Sequence, residues 1–184
     1  AERVMGEILK FCRENLAQGR VPVLLGYALG KSQELMVALE REKWPLLLHP
    51  SIQTMAGIYR RLGVKLPEGE TLHATTGKRA KGHVVLCPPQ AVRSKGLDKL
   101  EAKRTAMVSG WALDKGAIYR YGCDAAFPLS DHADYDELWE MVRQVQPRQV
   151  RTLHGFAREF AMDLQGKGIE AWALTGDTQL VLPI

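Results

Sequence analysis

The stretch Val21-Pro22-Val23-Leu24-Leu25-Gly26-Tyr27-Ala28-Leu29-Gly30-Lys31-Ser32 decides the fold class, because an apolar run leads there directly into a helix start. Five residues without polar alternation, 21–25, are typical of a strand buried on both faces. Two glycines then predict a turn, and Ser32 is a candidate N-cap for a helix over residues 32–42. A buried strand followed at once by a helix is the repeating unit of α/β proteins with a parallel sheet.

Helical and strand patterns alternate outward from this unit. Residues 2–18 carry a helical apolar stripe, and Gly19 suits the C-terminal end of that helix. Three further helices are predicted, over 51–62, 135–145 and 157–165. Further strands are predicted over 46–48, 83–87, 106–109, 117–121, 149–153 and 169–174, with a loop over 67–82 and a turn at 114–116. The sequence therefore predicts an α/β fold with a mainly parallel sheet.

Composition excludes several classes of protein. The 184 residues are 46% hydrophobic and 25% charged, which excludes a disordered tail, a collagen-like repeat and a coiled coil. No apolar run approaches the roughly 18 residues of a membrane span, and the amino terminus lacks a signal-peptide pattern. The widely separated Cys12, Cys87 and Cys123 favour buried thiols in a reducing compartment. We therefore expect a cytoplasmic protein without a membrane partner.

Charge is distributed unevenly along the chain. Residues 78–104 hold eight Lys or Arg and two acidic residues, whereas residues 124–140 hold six acidic residues and no Lys or Arg. The basic segment would suit the phosphate backbone of nucleic acid, and the acidic segment would suit metal ions. The other interpretation is that both segments are ordinary solvated faces.

The turn over residues 26–32 resembles a phosphate-binding P-loop, but three residues rather than four separate its glycines. The missing residue changes which amides point inward, so an NTPase is disfavoured. The remaining interpretation is a glycine-hinged turn that places helix N-terminal amides, together with Lys31, near an anion.

Two histidines occupy positions where α/β proteins bind ligands. His132 lies just before a helix whose capping box is predicted from Asp134 and Glu137, and an imidazole there could protonate a leaving group. His154 ends a predicted strand and precedes Gly155, a setting that suits a metal ligand. Each histidine taken alone also fits a structural role. One histidine cannot hold an ion, and the chain contains no H-x-H-x-D-H run.

These stretches together resemble a known family. Pro128-Leu129-Ser130-Asp131-His132-Ala133-Asp134 and Thr152-Leu153-His154-Gly155 are similar to motifs B and C of the β-CASP branch of metallo-β-lactamase-fold nucleases. Within that branch, three more stretches resemble the bacterial DNA ligase-associated exonuclease group, also called mRNA 3′-end processing factor: residues 26–35, Cys87-Pro88-Pro89 and Ser109-Gly110-Trp111. The similarity covers nearly the whole chain in order.

The resemblance implies a division of the chain. Residues 1–128 would be most of a β-CASP domain with a mainly parallel sheet, and residues 129–184 the C-terminal βαβ portion of a metallo-β-lactamase αββα domain. The N-terminal metal-binding half, with the other metal ligands, would be absent from this chain. We therefore expect the C-terminal part of a longer enzyme, inactive by itself, with that missing half as its partner.

The resemblance also implies a function, a two-metal phosphodiester hydrolase acting as a DNA exonuclease in ligase-associated repair. The cofactor would be two zinc ions, with manganese as the alternative. His132 would act as general acid or hold the scissile phosphate, and His154 would be a zinc ligand. Ser130, Lys31 and Ser109 would bind substrate, and the basic segment 78–104 would line the groove that feeds the strand.

The implied partners are nucleic acid, DNA rather than RNA, and a DNA ligase or helicase. In ribonuclease J relatives motif B reads Ser-Gly-His-Ala-Ser, whereas Asp131 and Asp134 stand here in place of the glycine and the last serine. That type of 5′-phosphate recognition is therefore not expected. The alternative function is a non-catalytic module that binds nucleic acid or a partner protein and lacks the metal centre.

Overall fold

Helices and strands alternate along the chain, as the sequence predicts. The computed structural model describes residues 2–73, 77–92, 94–113, 116, 118–119, 122–130 and 132–174. The chain divides into two units, Ala1–His132 and Ala133–Ile184. The first unit contains α1 (Glu2–Ala17), β1 (Val21–Leu25), α2 (Lys31–Glu40), β2 (Leu46–Leu48), α3 (Pro50–Arg61), β3 (Glu70–Thr71), β4 (Val84–Cys87), α4 (Lys95–Asp98), β5 (Lys103–Val108) and β6 (Ala125–Phe127). The second contains α5 (Tyr135–Val145), β7 (Gln149–Thr152), α6 (Ala157–Gly166) and β8 (Glu170–Ala173).

The first unit is built on a six-stranded sheet in the order β3-β2-β4-β1-β5-β6. Every neighbouring pair is parallel; Leu24 of β1, for example, is in register with Leu86 of β4 and Ala106 of β5. All five residues of β1 are buried, because the strand is central and both sheet faces are covered. The predicted α/β fold with a mainly parallel sheet is confirmed.

Two apolar layers cover the sheet. Residues of α1, α2 and α3, among them Ile8, Leu35 and Ile52, form one core with alternate strand residues. The other alternate residues pack against side chains from the connections around β4 and β5, including Leu72 and Leu97. None of the three cysteines forms a disulfide, and all three are buried, as predicted. Burial raises the pKa of Cys12 and of Cys87 to about 12, so these thiols stay protonated and serve packing.

Three local predictions are wrong. A strand is predicted over 117–121, but Ile118 and Tyr119 are helical, and the other three residues lie outside the described ones. The strand that pairs with β5 at this side of the sheet is instead β6. The segment 67–82, predicted as a loop, contains β3 and a 3₁₀ turn at Gly77–Ala80. The N-cap of α2 is Gly30 rather than Ser32, which lies inside the helix.

The second unit is a small β-α-β arrangement preceded by α5. Strands β7 and β8 are parallel and in register from Gln149 and Glu170 onward. Its core joins residues of both helices to the strands: Val142, Ala161, Leu164 and Ala171, with Trp139, Val150, Phe160, Ile169 and Ala173 packed against them. The domain limit predicted at 128/129 stays a prediction. No helix in the described part of the chain is long and apolar enough to cross a membrane.

Candidate functional site

The carboxyl edge of the six-stranded sheet gathers stretches that are far apart in sequence. Because the strands are parallel, their carboxyl ends all lie at this edge. The turn 26–30 follows β1, Pro88 and Pro89 follow β4, Ser109 and Gly110 follow β5, and 128–132 follows β6. In open α/β sheets this is the edge where ligands bind.

Ser130, Gly110 and His132 form a cluster at this edge, named here the Ser130 cluster. The His132 backbone N–H donates to Ser130 Oγ at 3.1 Å. A Cβ added to Gly110 would lie 3.2 Å from both Cβ and Oγ of Ser130, so the glycine permits a close approach. The side chains of Ser130 and His132 are exposed, whereas Leu129 between the strand and the cluster is buried. The sheet therefore anchors a polar, solvent-facing pair.

Ser109 and Lys31 are placed differently from Ser130. Ser109 is buried, and its backbone N–H donates to Phe127 O at 3.2 Å, which ties the end of β5 to that of β6. Lys31 is 1% exposed, and its Nζ donates to Glu34 Oε2 at 2.8 Å. In this conformation its ammonium faces no solvent. Substrate binding by these two side chains stays a prediction.

Several amides of the glycine-hinged turn have partners within the protein, and the anion site suggested by the sequence stays a prediction. The amides of Gly26, Gly30, Lys31 and Ser32 already donate to acceptors within the turn, in α2 or in β4. Gln33 closes the turn, because its Oε1 accepts from Gly30 N and its Nε2 donates to Ala28 O. Sequence reasoning missed Gln33, although a polar residue three positions after a helix N-cap signals a capping box.

His154 lies in the second unit, directly after β7. It is exposed and has a φ of 65°, and Gly155 has a φ of 54°. A positive φ is uncommon for a residue other than glycine and is a feature of functional sites. The Thr152 hydroxyl, which sequence reasoning missed, donates to Ala157 O at 2.6 Å and so bridges the two ends of the loop that presents His154.

The acidic segment holds structural ion pairs and caps. Asp134 Oδ1 accepts from Glu137 N, and Glu137 Oε2 accepts from Asp134 N, so the predicted capping box is confirmed. Asp124 accepts from Thr105 N and pairs with Arg104; although burial opposes them, these donors lower the pKa of its carboxyl. Among the described residues, no group of three His, Cys, Asp or Glu is placed to hold a metal ion.

Three described cations of the basic segment lie toward the amino edge of the sheet. Arg79 and Lys81 precede β4 and Lys99 precedes β5, and all three side chains are exposed. Lys81 Cε comes within 3.7 Å of a Cβ added to Gly19, which precedes β1. Arg104 is occupied by an ion pair with a carboxylate. That the segment lines the groove that feeds the strand stays a prediction.

The class of protein follows from comparison with known families. Residues 125–174 match the model of the RMMBL family, described as the Zn-dependent metallo-hydrolase RNA specificity domain. These residues run from β6 through Ser130 and His132 to the residue after β8. This segment of the chain is thus similar to a domain found in zinc-dependent metallo-hydrolases.

A relative covers the chain almost completely. Over 182 residues the chain is 50% identical to a protein of Opitutus terrae (strain DSM 11246 / JCM 15787 / PB90-1) named "Probable DNA ligase". The alignment takes in 99% of this chain and 18% of that protein, so the chain spans about a fifth of the relative's length. Together with the family match, this confirms the resemblance to the C-terminal part of a ligase-associated β-CASP nuclease.

Proposed function

We propose that this chain binds nucleic acid and supplies a proton donor to a phosphodiester hydrolase, a DNA exonuclease of ligase-associated repair. The observation that carries the proposal is the Ser130 cluster at the carboxyl edge of a parallel sheet, where the exposed Ser130 hydroxyl accepts from the backbone N–H of the exposed His132. The name of the relative supports a setting beside a DNA ligase. A cytoplasmic location, and a ligase or helicase as partner, belong to the same proposal.

The two side chains of the cluster have separable roles. Ser130 Oγ accepts from His132 N, so its own hydroxyl proton can be donated to a phosphate oxygen. The exposed His132 imidazole can transfer a proton to the departing oxygen when the phosphodiester bond breaks. The serine would thus position the phosphate, and the histidine would act as general acid.

The chain's own described residues do not make a metal centre. The family description implies zinc, yet His154 has no second and third ligand grouped with it in the described part of the chain. In the proposal His154 contributes one ligand, and the others come from a segment outside these 184 residues. Two zinc ions, or manganese, and inactivity of the chain alone are part of this proposal.

Cleavage by the longer protein tests the role of His132. We expect His132→Ala to slow cleavage of a labelled single-stranded DNA by about 100-fold or more, the usual contribution of a general acid, with unchanged zinc content. His154→Ala should instead lower the zinc content measured by elemental analysis. The matched control is His83→Ala, since His83 lies before β4 at the other edge of the sheet. Full turnover of the His132 variant would refute the assignment.

One observation favours a second function, a non-catalytic nucleic-acid-binding module. No metal-binding group is present among the described residues. The same assay separates the two functions, because a binding module retains single-stranded DNA without cleaving it even when zinc and the complete protein are present. Cleavage that depends on His132 excludes the module.

A further inference from the structure

The turn between β1 and α2 presents apolar side chains at the edge that holds the Ser130 cluster. Tyr27 is 45% exposed and Leu29 is 61% exposed. Strand β1 pairs with β5, and β5 pairs with β6, so the ends of β1 and β6 are two strand spacings apart, about 10 Å. A stacked single strand covers that distance in about three nucleotides, at roughly 3.4 Å each.

Buried side chains hold this turn in one conformation. Ser32 Oγ donates to Tyr27 O at 2.7 Å, and Gln33 Nε2 donates to Ala28 O at 3.0 Å. Ser32 and Gln33 are 1% and 3% exposed, so these hydrogen bonds are shielded from water. The aromatic ring is therefore displayed on a backbone that is already ordered, which reduces the entropy lost when a ligand binds.

Four backbone amides of this turn and the Lys31 ammonium already have partners within the protein. The amides of Gly26, Gly30, Lys31 and Ser32 are used within the protein. The Lys31 ammonium is buried against Glu34. What the turn offers to solvent is an aromatic ring and an aliphatic side chain, which suit the face of a base.

We propose that Tyr27, with Leu29 two residues further on, is a stacking platform for an unpaired base of a single-stranded nucleic acid whose phosphate lies at the Ser130 cluster. The inference rests on the proposed function, since it names the part of the substrate that this edge recognises. Every base has a π face, so the platform recognises single-strandedness rather than sequence. Duplex DNA, with its bases paired and stacked, does not use it.

Fluorescence anisotropy with two probes tests the platform on this chain. One probe is a fluorescein-labelled single-stranded oligothymidylate, and the other is an abasic strand of the same length. We expect Tyr27→Ala to weaken binding of the oligothymidylate by about 5- to 150-fold, the range for loss of one stacked base, and to leave binding of the abasic strand unchanged. Tyr27→Phe, which keeps the ring, should bind as the unaltered chain does.

Tyr119→Ala is the matched control, because Tyr119 is 90% exposed in the same unit but lies before β6, away from its carboxyl end. Equal affinity of the Tyr27→Ala variant and the unaltered chain for oligothymidylate overturns the platform while nucleic-acid binding stands. Equal binding of both probes by the unaltered chain also overturns the platform and leaves nucleic-acid binding in place. If the unaltered chain binds neither probe, the proposed function fails, and the platform fails with it.

Discussion

Replacing Gly110 by alanine tests whether the Ser130 cluster depends on a close backbone approach. The new Cβ would lie 3.2 Å from Ser130 Cβ and Oγ, whereas carbon contacts are optimal at about 3.5–4.0 Å. Ser130 must therefore retreat by a few tenths of an ångström, about 0.5 Å at most. Its Oγ accepts from His132 N at 3.1 Å, and a retreat of about 0.5 Å along this bond would stretch the distance to about 3.6 Å, too long for a hydrogen bond.

The expected cost in stability is small and the expected cost in function is larger. One hydrogen bond between exposed residues is worth about 0.5–1.5 kcal/mol, and the exposed Ser130 can move without compressing the core. We therefore expect the free energy of unfolding to fall by about 1 kcal/mol. This is at the low end of the roughly 1–3 kcal/mol by which extra atoms destabilise a packed core. A misplacement of about 1 Å can cost about 100-fold in rate, so the half-ångström shift should lower cleavage by about tenfold.

Urea unfolding and the cleavage assay of the longer protein measure the two effects separately. The control is Gly6→Ala in α1, where a Cβ meets no atom within 4 Å. Alanine there should raise stability by about 0.5–1 kcal/mol and leave cleavage unchanged. Unaltered cleavage by the Gly110→Ala variant would refute the dependence of the Ser130 cluster on this close approach. A loss of stability above about 3 kcal/mol would also refute it, because so large a loss would place Gly110 in the packed core.

Two further substitutions test single hydrogen bonds. Thr152→Val keeps the side-chain shape but removes the donor to Ala157 O, so the free energy of unfolding in urea should fall by about 1–2 kcal/mol. Thr152→Ser keeps the hydroxyl and should restore most of this loss. Equal stability of the valine variant and the unaltered chain would contradict the prediction. Burial lowers the pKa of His49, whose Nδ1 accepts from Ser51 N as the N-cap of α3. Below about pH 6.5 the unfolded chain thus binds more protons, and stability should fall as the pH falls towards the lowered native pKa. His49→Asn, which keeps an acceptor without titrating there, should flatten that decline between pH 7 and 5, and an unchanged decline would disprove it.

Local sequence signals were sufficient where one element's own residues decide its structure. The apolar run of β1 predicts a strand buried on both faces, and all five residues are buried. Asp134 and Glu137 predict a capping box because both partners lie within one helical turn, and the box forms. His132 before α5 and His154 after β7 are both exposed, and their roles in a site stay predictions.

The short strands β3 and β6 were not predicted, because pairing with neighbouring strands rather than their own residues specifies them. Strand β3 has two residues, one acidic and one hydroxylic, and it is a strand because its backbone pairs with Leu47 and Leu48. Strand β6 has three residues and pairs with the end of β5. Neither run stands out by its apolar residues as the three leucines of β2 do, so an apolar segment at 117–121 was a stronger local signal.

By itself, the sequence determined the α/β class, the order of most helices and strands, and the motifs on which the family resemblance rests. These depend on local periodicity, capping and residue identity, which the chain carries without reference to its neighbours in space. Only the tertiary structure decided that Ser130 rests against Gly110, that Lys31 is buried on Glu34, and that Arg79, Lys81 and Lys99 lie toward the other edge. The physical reason is that strand order and burial arise from contacts between residues distant in sequence.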